Sequence, residues 1–177
     1  GGQIGELQIY TSQLTPAQVS QNYNATKHKY AYGLNGFHLP LNNTSIGSID
    51  SSSNLKLHLD ASNNSSYGGS GTTWSDLSGN SANATLNGVN FLSTTNGGVF
   101  DFDGTNDDAT IDDTKINYSN FTLEFWLNPD ENLTAYKTIF SRYSATASQN
   151  VWHIRGNDTN NGIELVRYVS GSATVFK

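Results

Sequence analysis

Apolar and polar residues alternate with a period of two through much of this chain, the pattern of strands with one buried and one wet face. Leu55-Lys56-Leu57-His58-Leu59 alternates cleanly, and Phe121-Thr122-Leu123-Glu124-Phe125-Trp126-Leu127 sets Phe121, Leu123, Phe125 and Leu127 on one face. Ile4-Gly5-Glu6-Leu7-Gln8-Ile9-Tyr10 alternates less regularly. Further strands are predicted over 84–86, 98–102, 109–111, 137–141, 151–154 and 162–168. Turn residues at Ser78-Gly79-Asn80, Asn87-Gly88, Asn96-Gly97-Gly98, Asp103-Gly104 and Asn161-Gly162 separate them. Trp126 falls out of step with its strand's apolar face, so it points to the opposite surface or the strand bulges; core or interface is expected for it and for Trp152. One helix has clear start signals: Thr15 as N-cap and Pro16 at the first helical position, followed by 17–23. Many short strands with one capped helix predict an all-β, antiparallel sandwich.

Composition narrows the class. At 177 residues the chain is one domain, or one domain with a fragment of another. Charged residues make up only 14%, there are 17 glycines, and Asn, Ser and Thr are abundant. Such a surface is covered by neutral hydrogen-bonding groups, as in extracellular or viral β-proteins. Aromatic residues at 11%, together with the alternation, exclude a disordered chain. The net charge of −6, with Lys and Arg scattered singly, provides no basic stripe, so nucleic acid is not an expected partner. Without cysteine there is neither a disulfide framework nor a Cys-type zinc site. No stretch approaches the roughly 20 apolar residues that span a bilayer, and no membrane insertion is expected.

Two groups of motifs carry a resemblance. Gly2-Gln3-Ile4-Gly5-Glu6-Leu7-Gln8-Ile9-Tyr10 with Leu14-Thr15-Pro16-Ala17-Gln18-Val19 and Gln21-Asn22-Tyr23-Asn24-Ala25-Thr26-Lys27 resembles the closing strand and helix of laminin-G-like, concanavalin A-like modules. Leu57-His58-Leu59-Asp60-Ala61-Ser62-Asn63, Gly71-Thr72-Thr73-Trp74-Ser75-Asp76-Leu77-Ser78-Gly79-Asn80, Val99-Phe100-Asp101-Phe102-Asp103-Gly104-Thr105-Asn106-Asp107 and Phe121-Thr122-Leu123-Glu124-Phe125-Trp126-Leu127-Asn128-Pro129 resemble the opening of such a module. The wording is similar to that of virion structural proteins of marine bacteriophages. The resemblance implies a jelly-roll β-sandwich with one short helix near the N-terminus.

It also implies an organisation: residues 1–33 as the end of one module, 34–48 as a linker, and 49–177 as the first part of a second module whose later strands are missing. A sandwich lacking those strands would expose its edges and core. Three completions stand open at this stage: further polypeptide, strands from a neighbour, or residues 1–10 folding back onto the module that follows them.

The candidate chemistry is sparse. Glycoside hydrolysis needs two carboxylates about 5 to 5.5 Å apart in a retaining enzyme, and Glu6, Glu124, Glu131 and Glu164 do not form the alternating acidic strand pattern of such enzymes. Asp101 and Asp103 read as an ordinary strand end, and no enzyme activity is expected. Calcium is the candidate ion for the oxygen-rich stretch Asn106, Asp107, Asp108 with Asp112 and Asp113, although a solvated acidic loop is the plainer reading and the expectation is no cofactor. The four histidines lie in separate segments, and His58 and His153 read as outward strand residues. Tyr67, Trp74, Asp76 and Tyr143, aromatic and acidic groups near polar loops, are the candidate sugar-binding residues, with Trp74 alternatively a hydrophobic plug. The expected role is a non-enzymatic structural component of a phage particle, in a tail, fibre or capsid decoration. Its expected partners are other virion proteins or copies of itself in a homo-oligomer. The alternative is a carbohydrate-binding module for host surface glycan.

Overall fold

The irregularly alternating N-terminal segment forms a nine-residue strand, β1 (Gly2–Tyr10), that pairs with three other strands. The computed structural model describes residues 1–30, 53–94, 97–118, 120–130, 137–142, 151–157, 162–169 and 172–176. Among these the chain is predominantly antiparallel β with one α-helix. After β1 come α1 (Pro16–Tyr30), β2 (Leu55–Asp60), β3 (Thr73–Trp74), β4 (Ala84–Asn87), β5 (Asn90–Thr94), β6 (Gly97–Phe102), β7 (Asp108–Ile111) and β8 (Thr122–Pro129). Then follow β9 (Thr138–Arg142), β10 (Val151–Gly156), β11 (Ile163–Val169) and β12 (Ser172–Phe176). The chain divides into two compact units, Gly1–Asn128 and Pro129–Lys177.

In the first unit, one sheet runs β2-β1-β6-β5 with β8 also paired to β1, and a three-stranded sheet runs β3-β4-β7. Strand β1 is antiparallel to β2, with Leu7 opposite Leu59 and Ile9 opposite Leu57, and antiparallel to β6, with Ile4 opposite Phe100. The first strand thus pairs with strands that follow it in the chain. The segment expected to act as a linker, 34–48, lies outside the described residues. The alternation of β2 holds, since Leu55, Leu57 and Leu59 are buried while Lys56 and His58 are not fully so. Strand β1 departs from it, because Glu6, Gln8 and Tyr10 are buried along with Leu7 and Ile9, leaving this strand no wet face.

An aromatic cluster fills another part of this unit. Phe100, fully buried, meets Trp74 edge-on at 4.6 Å, Tyr67 at 4.8 Å and Phe91 at 5.7 Å between ring centroids. These tilted and edge arrangements suit the ring quadrupoles. Gly98 makes room for them, since a Cβ there would collide with the Phe91 ring. Asn90–Thr94 shows no clear alternation in sequence; pairing to β6 makes it a strand.

The second unit is a sheet in the order β12-β11-β10-β9. Trp152 lies parallel to Phe140 at 5.8 Å, and the buried Glu164 takes hydrogen bonds from Arg155 Nε at 2.8 Å and Asn157 Nδ2 at 2.9 Å. His153 packs against the Tyr168 ring, and burial, with Arg155 close by, holds its pKa below the ordinary imidazole value.

Asp76 ties the loop after β3 to β2. Its carboxylate accepts the backbone N–H of His58 at 2.9 Å, of Ser78 at 2.9 Å and of Ala82 at 3.1 Å, and the Ser78 hydroxyl at 2.8 Å. Burial acts to raise its pKa, but these donors outweigh it and hold the carboxyl below its ordinary value. Asp76→Asn is expected to lower stability by about 2 kcal/mol at pH 7, because backbone donors lose a charged acceptor. A folded pKa below the ordinary value of about 3.9 means the stabilisation is complete above that pH and lost as pH falls through the folded value. The gap in urea midpoint between wild type and variant should therefore close at acid pH; an equal gap at pH 7 and pH 3 would contradict this role.

Candidate functional site

Helix α1 begins with a reciprocal cap. The Gln18 backbone N–H donates to Thr15 Oγ1 at 3.3 Å, and Gln18 Oε1 accepts the Thr15 backbone N–H and hydroxyl, each at 2.8 Å. The helix then runs past the expected end at Tyr23 to Tyr30. Among the described side chains its buried positions, Asn22, Ala25 and Thr26, follow helical spacing, but Asn22 and Thr26 are polar. This helix docks largely by hydrogen bonds.

Those bonds form a directed chain. Asn22 Nδ2 donates to the Tyr10 hydroxyl at 3.0 Å, Tyr10 to Gln8 Oε1 at 2.8 Å, and Gln8 Nε2 to Glu6 Oε1 at 2.6 Å. His58 Nε2 lies 2.9 Å from the same Glu6 oxygen. Asn22 Nδ2 also reaches Glu124 Oε2 on β8 at 2.6 Å, and Trp126 Nε1 donates to Thr26 Oγ1 at 2.9 Å. Trp126 thus faces α1, on the side opposite its strand's apolar stripe. Glu6 is only 2% exposed, and its second oxygen, Oε2, has no hydrogen-bond partner.

Between α1, β1 and β8 lies an open cleft of about 390 Å³. Glu6, Gln8, Asn22, Thr26 and Glu124 supply its polar groups, and Tyr23, Phe125 and Trp126 its aromatic ones. The Tyr23 and Trp126 rings stack at 5.7 Å with 26° between their planes, and Tyr23 is 52% exposed. Lys27 Nζ stands 5.5 Å from the centre of the Tyr23 ring. The arrangement offers a π surface above hydrogen-bond acceptors, including two carboxylates.

The residues singled out from the sequence lie elsewhere. Tyr67 and Trp74 are 6% and 2% exposed inside the aromatic cluster, so their faces meet other rings and not a ligand. Asp76 is turned to backbone N–H groups, and Tyr143 lies outside the described residues. In the acidic loop, Asp107 Oδ2 accepts the Asp103 backbone N–H and Asp108 Oδ1 accepts the Asn87 amide, while the Asn106 N–H is turned to Asp103. The Asp107 and Asp108 carboxylates are thus committed to separate partners. Asp112 caps a short 3-10 turn at Asp113–Lys115. His58, expected to face outward, is instead turned to Glu6. The signal that could have located the cleft is α1 itself, a helix with a sound cap and no continuous apolar stripe, which has to dock through polar groups.

Searches against protein-family models, curated proteins and solved structures found no match. Among the described residues no helix is long and apolar enough to cross a membrane.

Asn22→Ala is expected to cost about 2–3 kcal/mol, since it removes a buried donor shared by Tyr10 and Glu124. Amide exchange should accelerate along α1 in this variant and not in Asn24→Ala, whose side chain is at the surface. Unchanged protection in Asn22→Ala would show that the helix is held by other means.

Proposed function

We propose that this chain is a non-enzymatic module of a bacteriophage particle, built on the laminin-G-like, concanavalin A-like jelly-roll plan, that holds host surface glycan in the cleft between α1 and β8. The observation that carries the glycan reading is the stacked Tyr23–Trp126 pair standing beside Asn22, Gln8 and Glu124. Sugar rings present C–H faces that stack on aromatics and hydroxyls that donate to carboxylates and amide oxygens, and this cleft supplies both within one small volume. The antiparallel sheets and the pairing of β1 with β2 and β6 support the jelly-roll plan. The virion setting is supported by the sequence resemblance.

A second reading has support in the same place. Val19, 43% exposed, lies one helical turn before Tyr23, and together they form an apolar edge suited to a neighbouring virion protein or another copy of the chain. On that reading the module contributes structure alone.

Glycan-array binding separates the two. Saturable binding is expected for the wild type, with Tyr23→Ala weakening it by about tenfold while the protein stays folded, in keeping with the loss of an aromatic stacking contact. Absence of binding, with stoichiometric co-purification in particles, would leave the structural reading; absence of both would remove the proposal.

A further inference from the structure

We propose that Glu6, His58 and Asp60 form a binding site for a transition-metal dication of the Zn²⁺ or Mn²⁺ type. Register puts Glu6 directly opposite Asp60, and Gln8 opposite His58, on adjacent strands β1 and β2. Two carboxyl groups that are 2% and 1% exposed thus stand on the same face of a strand pair, where burial penalises uncompensated charge. One donor atom from each of Glu6, His58 and Asp60 lies within 4.8 Å of the other two. Bonds of about 2.0–2.2 Å place two ligands of one ion roughly 3 to 4.4 Å apart, from neighbouring to opposite positions. The 2.9 Å between His58 Nε2 and Glu6 Oε1 already matches the shorter spacing.

The independent observation is Glu6 Oε2, buried and without a partner. The lone pairs of that oxygen meet no donor, and a cation would accept them directly. The surroundings hold the ligands as a metal site requires: Gln8 Nε2 fixes Glu6 Oε1, while the Ser62 backbone N–H at 2.9 Å and hydroxyl at 2.6 Å fix Asp60 Oδ1. Both strands are rigid carriers, and Glu6 lines the cleft, which supplies a path of entry. One imidazole among two carboxylates favours Zn²⁺ or Mn²⁺ over Ca²⁺ or Mg²⁺, which prefer an all-oxygen set.

The experiment uses the full chain after chelator treatment and dialysis, titrated calorimetrically with ZnCl₂, MnCl₂, CaCl₂ and MgCl₂. One equivalent of Zn²⁺ or Mn²⁺ is expected to bind and raise the melting temperature, with affinity lowered by more than about tenfold in both Glu6→Gln and His58→Gln. X-ray absorption at the zinc edge should show one imidazole among oxygen ligands, a readout available from wild type even if a variant fails to fold. No stoichiometric binding by wild type, binding retained in both variants, or a shell with two or more imidazoles would overturn the proposal. Repeating the glycan array in the presence of chelator makes failure of the metal site distinguishable from failure of the cleft.

Discussion

A carboxylate buried in the middle of a strand is the constraint around which the first unit is arranged. Glu6 sits on β1 with apolar residues on the opposite face of that strand and helix α1 part of its cover. Breaking a buried charge away from its partners costs about 3–5 kcal/mol, against about 0–1 kcal/mol for an ion pair at the surface. The neighbouring polar groups therefore cannot be arbitrary. Gln8 and Tyr10 stand at the next positions on the same face, and each passes a hydrogen bond towards Glu6. Asn22 connects that row to the helix above and to Glu124 beyond it.

The same bonds explain why a cleft is present. A helix laid on a sheet by interlocking Leu or Ile side chains would close over the surface beneath it. Helix α1 instead approaches through Asn22 and Thr26, with Val19 and Tyr23 left on its rim. Space remains beside β8, walled by Tyr23 and Trp126 and floored by acceptors. The functional proposals both grow from this: the aromatic wall accounts for glycan, and the unsatisfied oxygen of Glu6 accounts for a cation at the end of the same polar row.

A second centre of packing lies in a different quarter of the unit. Phe100, Tyr67, Trp74 and Phe91 form a well-packed aromatic centre, and the Asp76 carboxylate gathers the loop that follows Trp74 by accepting several backbone donors. Tyr67 and Trp74, which read in sequence as part of a sugar platform, are consumed in this packing. Aromatic residues beside Gly, Ser and Asp look alike in sequence whether they cap a core or line a site, and only burial separates the two.

Period-two alternation by itself determined the β character, the apolar face of β2 and most strand positions, because strand geometry sends successive side chains to opposite faces whatever their partners. The Thr15-Pro16-Ala17-Gln18 cap likewise fixed where α1 begins, since its bonds are local. Tertiary structure decided the rest. The polar side of β1 looks wet in sequence, yet Glu6, Gln8 and Tyr10 are buried; past Tyr23 the helix carries Ala25 and Thr26, both buried, and Thr26 accepts the Trp126 indole N–H. His58 and Asp60 meet Glu6 through a pairing between residues more than fifty positions apart, whose register no local pattern specifies. Hydrogen-bonding side chains carry no mark in sequence of whether water or another residue will satisfy them, and that choice is what made this cleft.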